Sequence, residues 1–115
     1  MQRGDVILVH LPQPKSGEGH EQVGTRPALL VHDDSTSETL SVIMIVPLTS
    51  NLKAQRFPHT IFIPASSENG LSVPSVLLVF QLRAIDRQRV IKKIGHLEEN
   101  LMVHVNAEMK NMLGL

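Results

Sequence analysis

The chain has 115 residues, with 11 Lys and Arg balanced by 11 Asp and Glu, so its formal net charge is zero and a basic coat is excluded. It has no cysteine, tryptophan or tyrosine, which excludes a disulfide framework, a thiol nucleophile and a thiolate zinc site and leaves three phenylalanines as its only large aromatic side chains. Length and a 42% hydrophobic content predict one domain, residues 1–115, with enough apolar material for its own core.

Residues 5–11 (DVILVHL) read as the first strand, closed by Pro12 and Pro14. Residues 13–25 form a polar loop with Gly17, Gly19 and Gly24. Residues 26–32 (RPALLVH) read as a second strand, where Pro27 is tolerable because it lies near the start. A polar hairpin connection, 33–39, leads to the most hydrophobic stretch, 40–48 (LSVIMIVPL), a central strand interrupted by Pro47.

After a loop at 51–58, residues 59–63 (HTIFI) make a short strand, and 64–74 carries the turn signal Asn69-Gly70. Residues 75–82 (SVLLVFQL) read as one strand and 94–97 as a brief last one. From Glu98 the apolar period changes: Leu101, Met102, Val105, Met109, Met112 and Leu113 recur at helical spacing, and Gly114 sits where a helix would end. Short strands followed by one helix predict a mainly β fold, a small barrel with a helix packed on it. The longest apolar runs, 42–46 and 76–80, fall far short of the roughly 20 residues that cross a bilayer. The opening Met1-Gln2-Arg3-Gly4-Asp5 lacks an apolar signal core, so a cytoplasmic protein away from membranes is expected.

Six scattered histidines without an i, i+4 pair predict no metal site, and no motif predicts a cofactor. Three places carry chemistry. Glu21 and Arg26 flank Gly24 at a strand entry. Polar groups appear abruptly at Thr49 and Ser50, at the end of the most apolar strand. Ser75 and Gln81 bracket another apolar strand, followed by Arg83, Arg87, Arg89, Lys92 and Lys93, five basic residues against the single acid Asp86. Each place also has a plainer reading: a surface ion pair, turn hydroxyls bonding their own backbone, strand-end polar groups and a solvated basic face.

Taken together, these blocks resemble the MazF/PemK family of toxin endoribonucleases. Arg3-Gly4-Asp5-Val6, then Gly19-His20-Glu21-Gln22 leading to Arg26-Pro27-Ala28-Leu29, resembles the start of that family. Pro47-Leu48-Thr49-Ser50, Gly70-Leu71 with Ser75-Val76, Gln81-Leu82-Arg83-Ala84-Ile85-Asp86 and Ile94-Gly95-His96-Leu97 follow in order. The resemblance implies an SH3-like β-barrel with a C-terminal helix, usually a homodimer. It implies metal-independent cleavage of single-stranded mRNA at specific sequences, growth arrest, and inhibition by a cognate acidic antitoxin. It puts catalytic roles on Arg26, Thr49 and Glu21. Substrate-binding roles fall on His20, Ser50, Ser75 and Gln81, with Arg83 and Arg87 as candidate phosphate contacts. Two positions depart from the pattern: Phe80 stands where an acidic residue is common, and His20 where a small one is common.

With so few aromatic residues, base recognition is expected to rest on hydrogen bonds more than on stacking. Two rival functions share this reading of the fold: a gyrase-poisoning toxin with the same barrel, and a non-catalytic SH3-like binding module.

Overall fold

The computed structural model describes residues 1–12, 24–36 and 38–115. The run DVILVHL forms β1 (Asp5–Leu11) and is buried on both faces, with Val6, Ile7, Val9 and Leu11 all inaccessible. The central positions of β3 (Val42–Thr49) and the last residues of β2 (Gly24–Leu30) share this property. A strand covered on two sides reads as a continuous apolar run and not as an alternation. Alternate residues therefore enter different cores. Val6, Leu29, Val46 and Leu48 pack on the side of the C-terminal helix. Ile7, Leu30, Ile43 and Ile45 pack on the other side against Ile85.

Four further strands, β4 (Thr60–Ile63), β5 (Ser75–Leu78), β6 (Arg83–Asp86) and β7 (Val90–His96), complete a barrel-like sheet. Its order is β4–β5–β3–β2–β1–β7, with β6 also paired to β3, and these pairings are antiparallel. One end of β3, Val42 to Ile45, pairs with β6, and the other, Leu48 and Thr49, with β5. Pro47 does not interrupt β3 as its sequence predicts. It falls between those two pairings, where a missing N–H costs no bond to β5 or β6.

The expected strand over residues 75–82 is instead broken. A 3-10 turn, Val79–Gln81, separates β5 from β6 and carries the chain from one part of β3 to another. The expected loop at 51–58 holds a 3-10 turn, Leu52–Arg56, capped by Asn51, whose side chain accepts from the Lys53 N–H. The last strand begins at Val90, earlier than expected.

Helix α1 (Glu99–Leu113) buries Met102 and Val105 against the strands. Gly114, at φ 72, closes it: the Leu115 N–H donates to Lys110 O (2.9 Å) and the Gly114 N–H to Asn111 O (3.3 Å), a Schellman arrangement. No described helix is long and apolar enough to cross a membrane.

Candidate active site

A cleft of about 240 Å³ opens where β3 ends. Arg26, Ser50, residues 70–73 and Ser75 line it. Arg26 is brought there by β2, which sets it opposite Val9 of β1. Leu8, Leu48 and Ile94 supply apolar lining, which lowers the local dielectric and strengthens the field of the half-buried guanidinium.

Thr49 belongs to a second, adjoining cavity of about 480 Å³, shared with Gln81. Consecutive strand residues point to opposite faces, so Leu48 and Thr49 serve different cavities. Arg26 and Thr49 thus line neighbouring cavities at the end of β3, one residue to each. Ser50 shares the cleft with Arg26, as do the hydroxyl residues Thr25, Ser72 and Ser75. The Thr49 Oγ1 accepts the Asn51 N–H at 3.2 Å, which leaves its own hydrogen available to a ligand. The Ser75 hydroxyl already donates to Val73 O at 3.1 Å. In this geometry it braces the cleft wall and offers only lone pairs.

The wall is held by a residue that reads in the sequence as an ordinary turn former. Asn69 is fully buried. Its Oδ1 accepts the Ser66 and Leu71 N–H groups at 3.1 and 3.0 Å, and its Nδ2 donates to Pro64 O at 2.9 Å and to Glu98 Oε1 at 3.1 Å. Glu98, just before α1, also accepts from the Ser66 hydroxyl at 3.2 Å. One side chain thereby joins the loop that forms the cleft wall to the start of the helix. The Asn69-Gly70 pair was the available signal, but it indicates a turn and says nothing of burial.

The basic segment 83–93 does not form one continuous phosphate track. Arg83 begins β6 opposite Ile45 and lines neither cavity. Arg87 grips the buried Asp34 with both ends of its fork, at 3.1 and 2.9 Å, and donates to Leu40 O at 3.1 Å. That engagement makes it a clamp on the connection between β2 and β3. The Lys93 ammonium is 3.3 Å from the carboxylate of Asp5, which is fully buried and also 2.9 Å from His96 Nδ1. Burial alone would raise the Asp5 pKa, but the His96 contact, the Gln2 N–H and Lys93 outweigh it and hold the carboxyl below its usual range. Glu21 and His20 lie outside the described residues.

The Asp34 clamp sets an acid limit on stability. The Arg87 hydrogen bonds, followed by the one from His32, lower the Asp34 pKa to about 2. His32 Nδ1 accepts the Met44 N–H at 2.8 Å, so Nε2 carries the hydrogen shared with Asp34 at 3.1 Å. A depressed carboxylate contributes its full stability above the unfolded value of about 3.9 and loses it as pH falls toward the folded value. Asp34→Asn is expected to cost about 2 kcal/mol at pH 7, as charged hydrogen bonds of this kind do. The gap to the wild type should close between about pH 4 and 2. Denaturant melts across that range check this, and a pH-independent gap would refute it.

Among the described residues, no three His, Asp or Glu side chains gather to hold a metal ion. The protein family described as "PemK-like, MazF-like toxin of type II toxin-antitoxin system" matches residues 2–113. Endoribonuclease MazF of Staphylococcus saprophyticus is 30% identical over 115 residues, covering 100% of this chain and 92% of that protein. Endoribonuclease EndoA of Bacillus subtilis is 30% identical over the same span and is covered to 96%. MazF from Deinococcus radiodurans matches the fold with a TM-score of 0.81 at 23% identity, covering 100% of this chain and 97% of that one. A MazE-MazF complex from the same organism matches at 0.77 and 25% identity, with 100% and 96% covered. A family match reaching from residue 2 to residue 113, over a barrel and helix assembled as in those structures, makes this chain a member of the PemK-like, MazF-like toxins of type II toxin–antitoxin systems.

Proposed function

We propose that the protein is a sequence-specific endoribonuclease toxin that cleaves single-stranded mRNA without a metal ion. In this reading residues 1–115 are one toxin domain, acting in the cytoplasm as a homodimer and restrained by a cognate acidic antitoxin. The observation that carries it is the half-buried Arg26 in an apolar-lined cleft at the end of β3, with the hydroxyls of Ser50 and Thr49 to either side. Relatives named endoribonucleases at 30% identity support the activity, and the MazE-MazF complex supports an antitoxin partner.

The chemistry follows from RNA carrying its own nucleophile. The 2′-oxygen attacks the adjacent phosphorus, the new P–O2′ bond forms, and the bond to the 5′-oxygen breaks. A cyclic phosphate and a free 5′-hydroxyl result. One proton must leave the 2′-hydroxyl and one must reach the departing oxygen. Arg26 matches two phosphate oxygens with its planar fork and meets the negative charge that builds on phosphorus. Thr49 keeps its hydroxyl hydrogen for the same phosphate. A guanidinium is a poor base by its own chemistry, whereas the family reading makes Arg26 an acid/base participant; Glu21, with His20 beside it in sequence, either positions Arg26 or takes the proton. Ser50 and Gln81 contact the strand on the two sides of the β3 end.

The test is to incubate the purified protein with a long single-stranded RNA in EDTA and map the ends. Discrete cuts ending in cyclic phosphates are expected. Intact RNA with arrested gyrase would assign the protein to the gyrase-poisoning rival, and intact RNA with gyrase unaffected would leave a binding module.

A further inference from the structure

Only three phenylalanines occur in the chain, and the fold brings two of them together outside its cores. Phe57 follows the 3-10 turn Leu52–Arg56, and Phe80 lies in the turn Val79–Gln81. Their ring centroids are 5.8 Å apart at 60°, and the residues are 44% and 41% exposed. The Arg56 guanidinium lies 4.9 Å from the centre of the Phe57 ring. Both rings, Arg56 and Lys53 line the 480 Å³ cavity that also holds Thr49 and Gln81, and among the described residues its lining contains no carboxylate.

This arrangement is fixed before any ligand arrives. Ala54, buried on the inner side of its turn, packs with Val76 and Leu78 of β5. The Phe57 N–H donates to Ala54 O at 3.1 Å, and the Phe57 carbonyl accepts the Thr60 hydroxyl at 3.0 Å. Two water-exposed rings held in place by a braced backbone form a platform whose ordering cost is met on folding and not on binding.

We propose that Phe57, Phe80 and Arg56 form a stacking subsite for one unpaired base of the RNA, next to Thr49. The proposal rests on the RNA-cleaving reading above. Aromatic faces and a guanidinium plane are the surfaces on which splayed bases stack, and Lys53 and Arg56 suit the attached phosphates. Planar surfaces sharing a cavity with Thr49 favour a base over a peptide side chain. Recognition at this point is then by ring contact, against the expectation of hydrogen bonding drawn from the low aromatic content. Because every base has a π-face, the subsite tolerates sequence variation. Phe80 provides a face where an acidic residue would have provided a hydrogen-bond acceptor.

The experiment uses short single-stranded RNAs carrying 2-aminopurine at successive positions, bound to full-length Arg26→Ala protein so that cutting is slowed. Quenching at one position is expected. Phe57→Leu and Phe80→Leu, each added to that background, should weaken binding by roughly tenfold and abolish the quench. Melting temperatures near that of the parent are expected, because both rings are exposed. Unchanged affinity and quench in the folded variants would overturn the proposal. So would a loss confined to binding of an acidic antitoxin peptide, which would make the platform a protein contact. Ring-dependent quenching by a protein whose wild type cuts no RNA would overturn the nuclease reading alone. Absence of RNA binding would overturn both.

Discussion

Arg26→Ala is expected to slow RNA cleavage by roughly 10²–10³-fold, the usual cost of removing one preorganised donor from a developing oxyanion. The loss should fall mainly on the rate at saturating RNA, because charge on the phosphoryl oxygens grows toward the transition state and the guanidinium gains most there. Arg26→Lys separates charge from shape. A lysine keeps the positive charge but presents a single ammonium where two oxygens need a planar fork, so it should recover only part of the rate. Single-turnover cleavage of a mapped RNA site measures both variants. Wild-type rates for Arg26→Ala in folded protein would remove Arg26 from the reaction. The cleft would then have to be read as a binding groove.

The separation of Arg26 from Thr49 sharpens what each can do. Leu48, Thr49 and Ser50 are consecutive, and the strand's alternation sends Thr49 to one cavity and Ser50 to the other. A phosphate crossing the end of β3 would meet the guanidinium from one side and the Thr49 hydroxyl from the other. That arrangement suits a strand bent over an edge with its base splayed into the aromatic side, as an in-line attack by a 2′-oxygen requires backbone distortion. The Arg26 and Phe80 variants therefore probe different stretches of one substrate.

How much of this was legible in the sequence depends on what each residue signals locally. β1 was legible to its boundaries because an apolar run ends at prolines. The break at Val79–Gln81 was hidden, since no glycine or proline marks it; the bend is imposed by the need to move from β4 to the other part of β3. At the site, Arg26, Ser50 and Ser75 could be picked out by motif order, and the cleft gathers them. The pairing of Arg87 was hidden because a cation in a basic run looks free until the fold supplies Asp34, which is fifty-three positions away and sits in a polar connection. The burial of Asn69 and the meeting of Phe57 with Phe80 could not be read, because both are matters of long-range contact.

Gly70→Ala is expected to have the largest effect on stability, and the reason lies in how the cleft wall crosses β7. A Cβ at position 70 would stand 2.0 Å from the Ile94 carbonyl oxygen and 2.6 Å from its carbon, and φ there is +74. From the opposing side, a Cβ on Gly95 would stand 2.4 Å from the carbonyl carbon of Asn69. The two backbones meet glycine to glycine, tied by the His96 N–H donating to Glu68 O at 2.9 Å. Backbone cannot swing aside as a flexible side chain does, so the overlap must be relieved by moving the whole wall. Left-handed strain adds roughly 1–2 kcal/mol to that displacement. A total of about 3–5 kcal/mol is expected, near the upper end for single substitutions. For a chain of this size each kcal/mol lowers Tm by roughly 4 °C. Gly24 provides the comparison, since its φ is +83 but a Cβ there meets nothing within 4 Å among the described residues. Gly24→Ala should cost only the strain, and Gly95→Ala only the overlap. The expected order of melting temperatures is therefore Gly24→Ala highest, Gly95→Ala next and Gly70→Ala lowest. Because Gly70 itself lines the cleft with Arg26, any folded fraction of Gly70→Ala should also cut RNA poorly. A Gly70→Ala protein that melts with Gly24→Ala would show that the wall yields at this crossing, and the rigidity assigned to the cleft would be wrong.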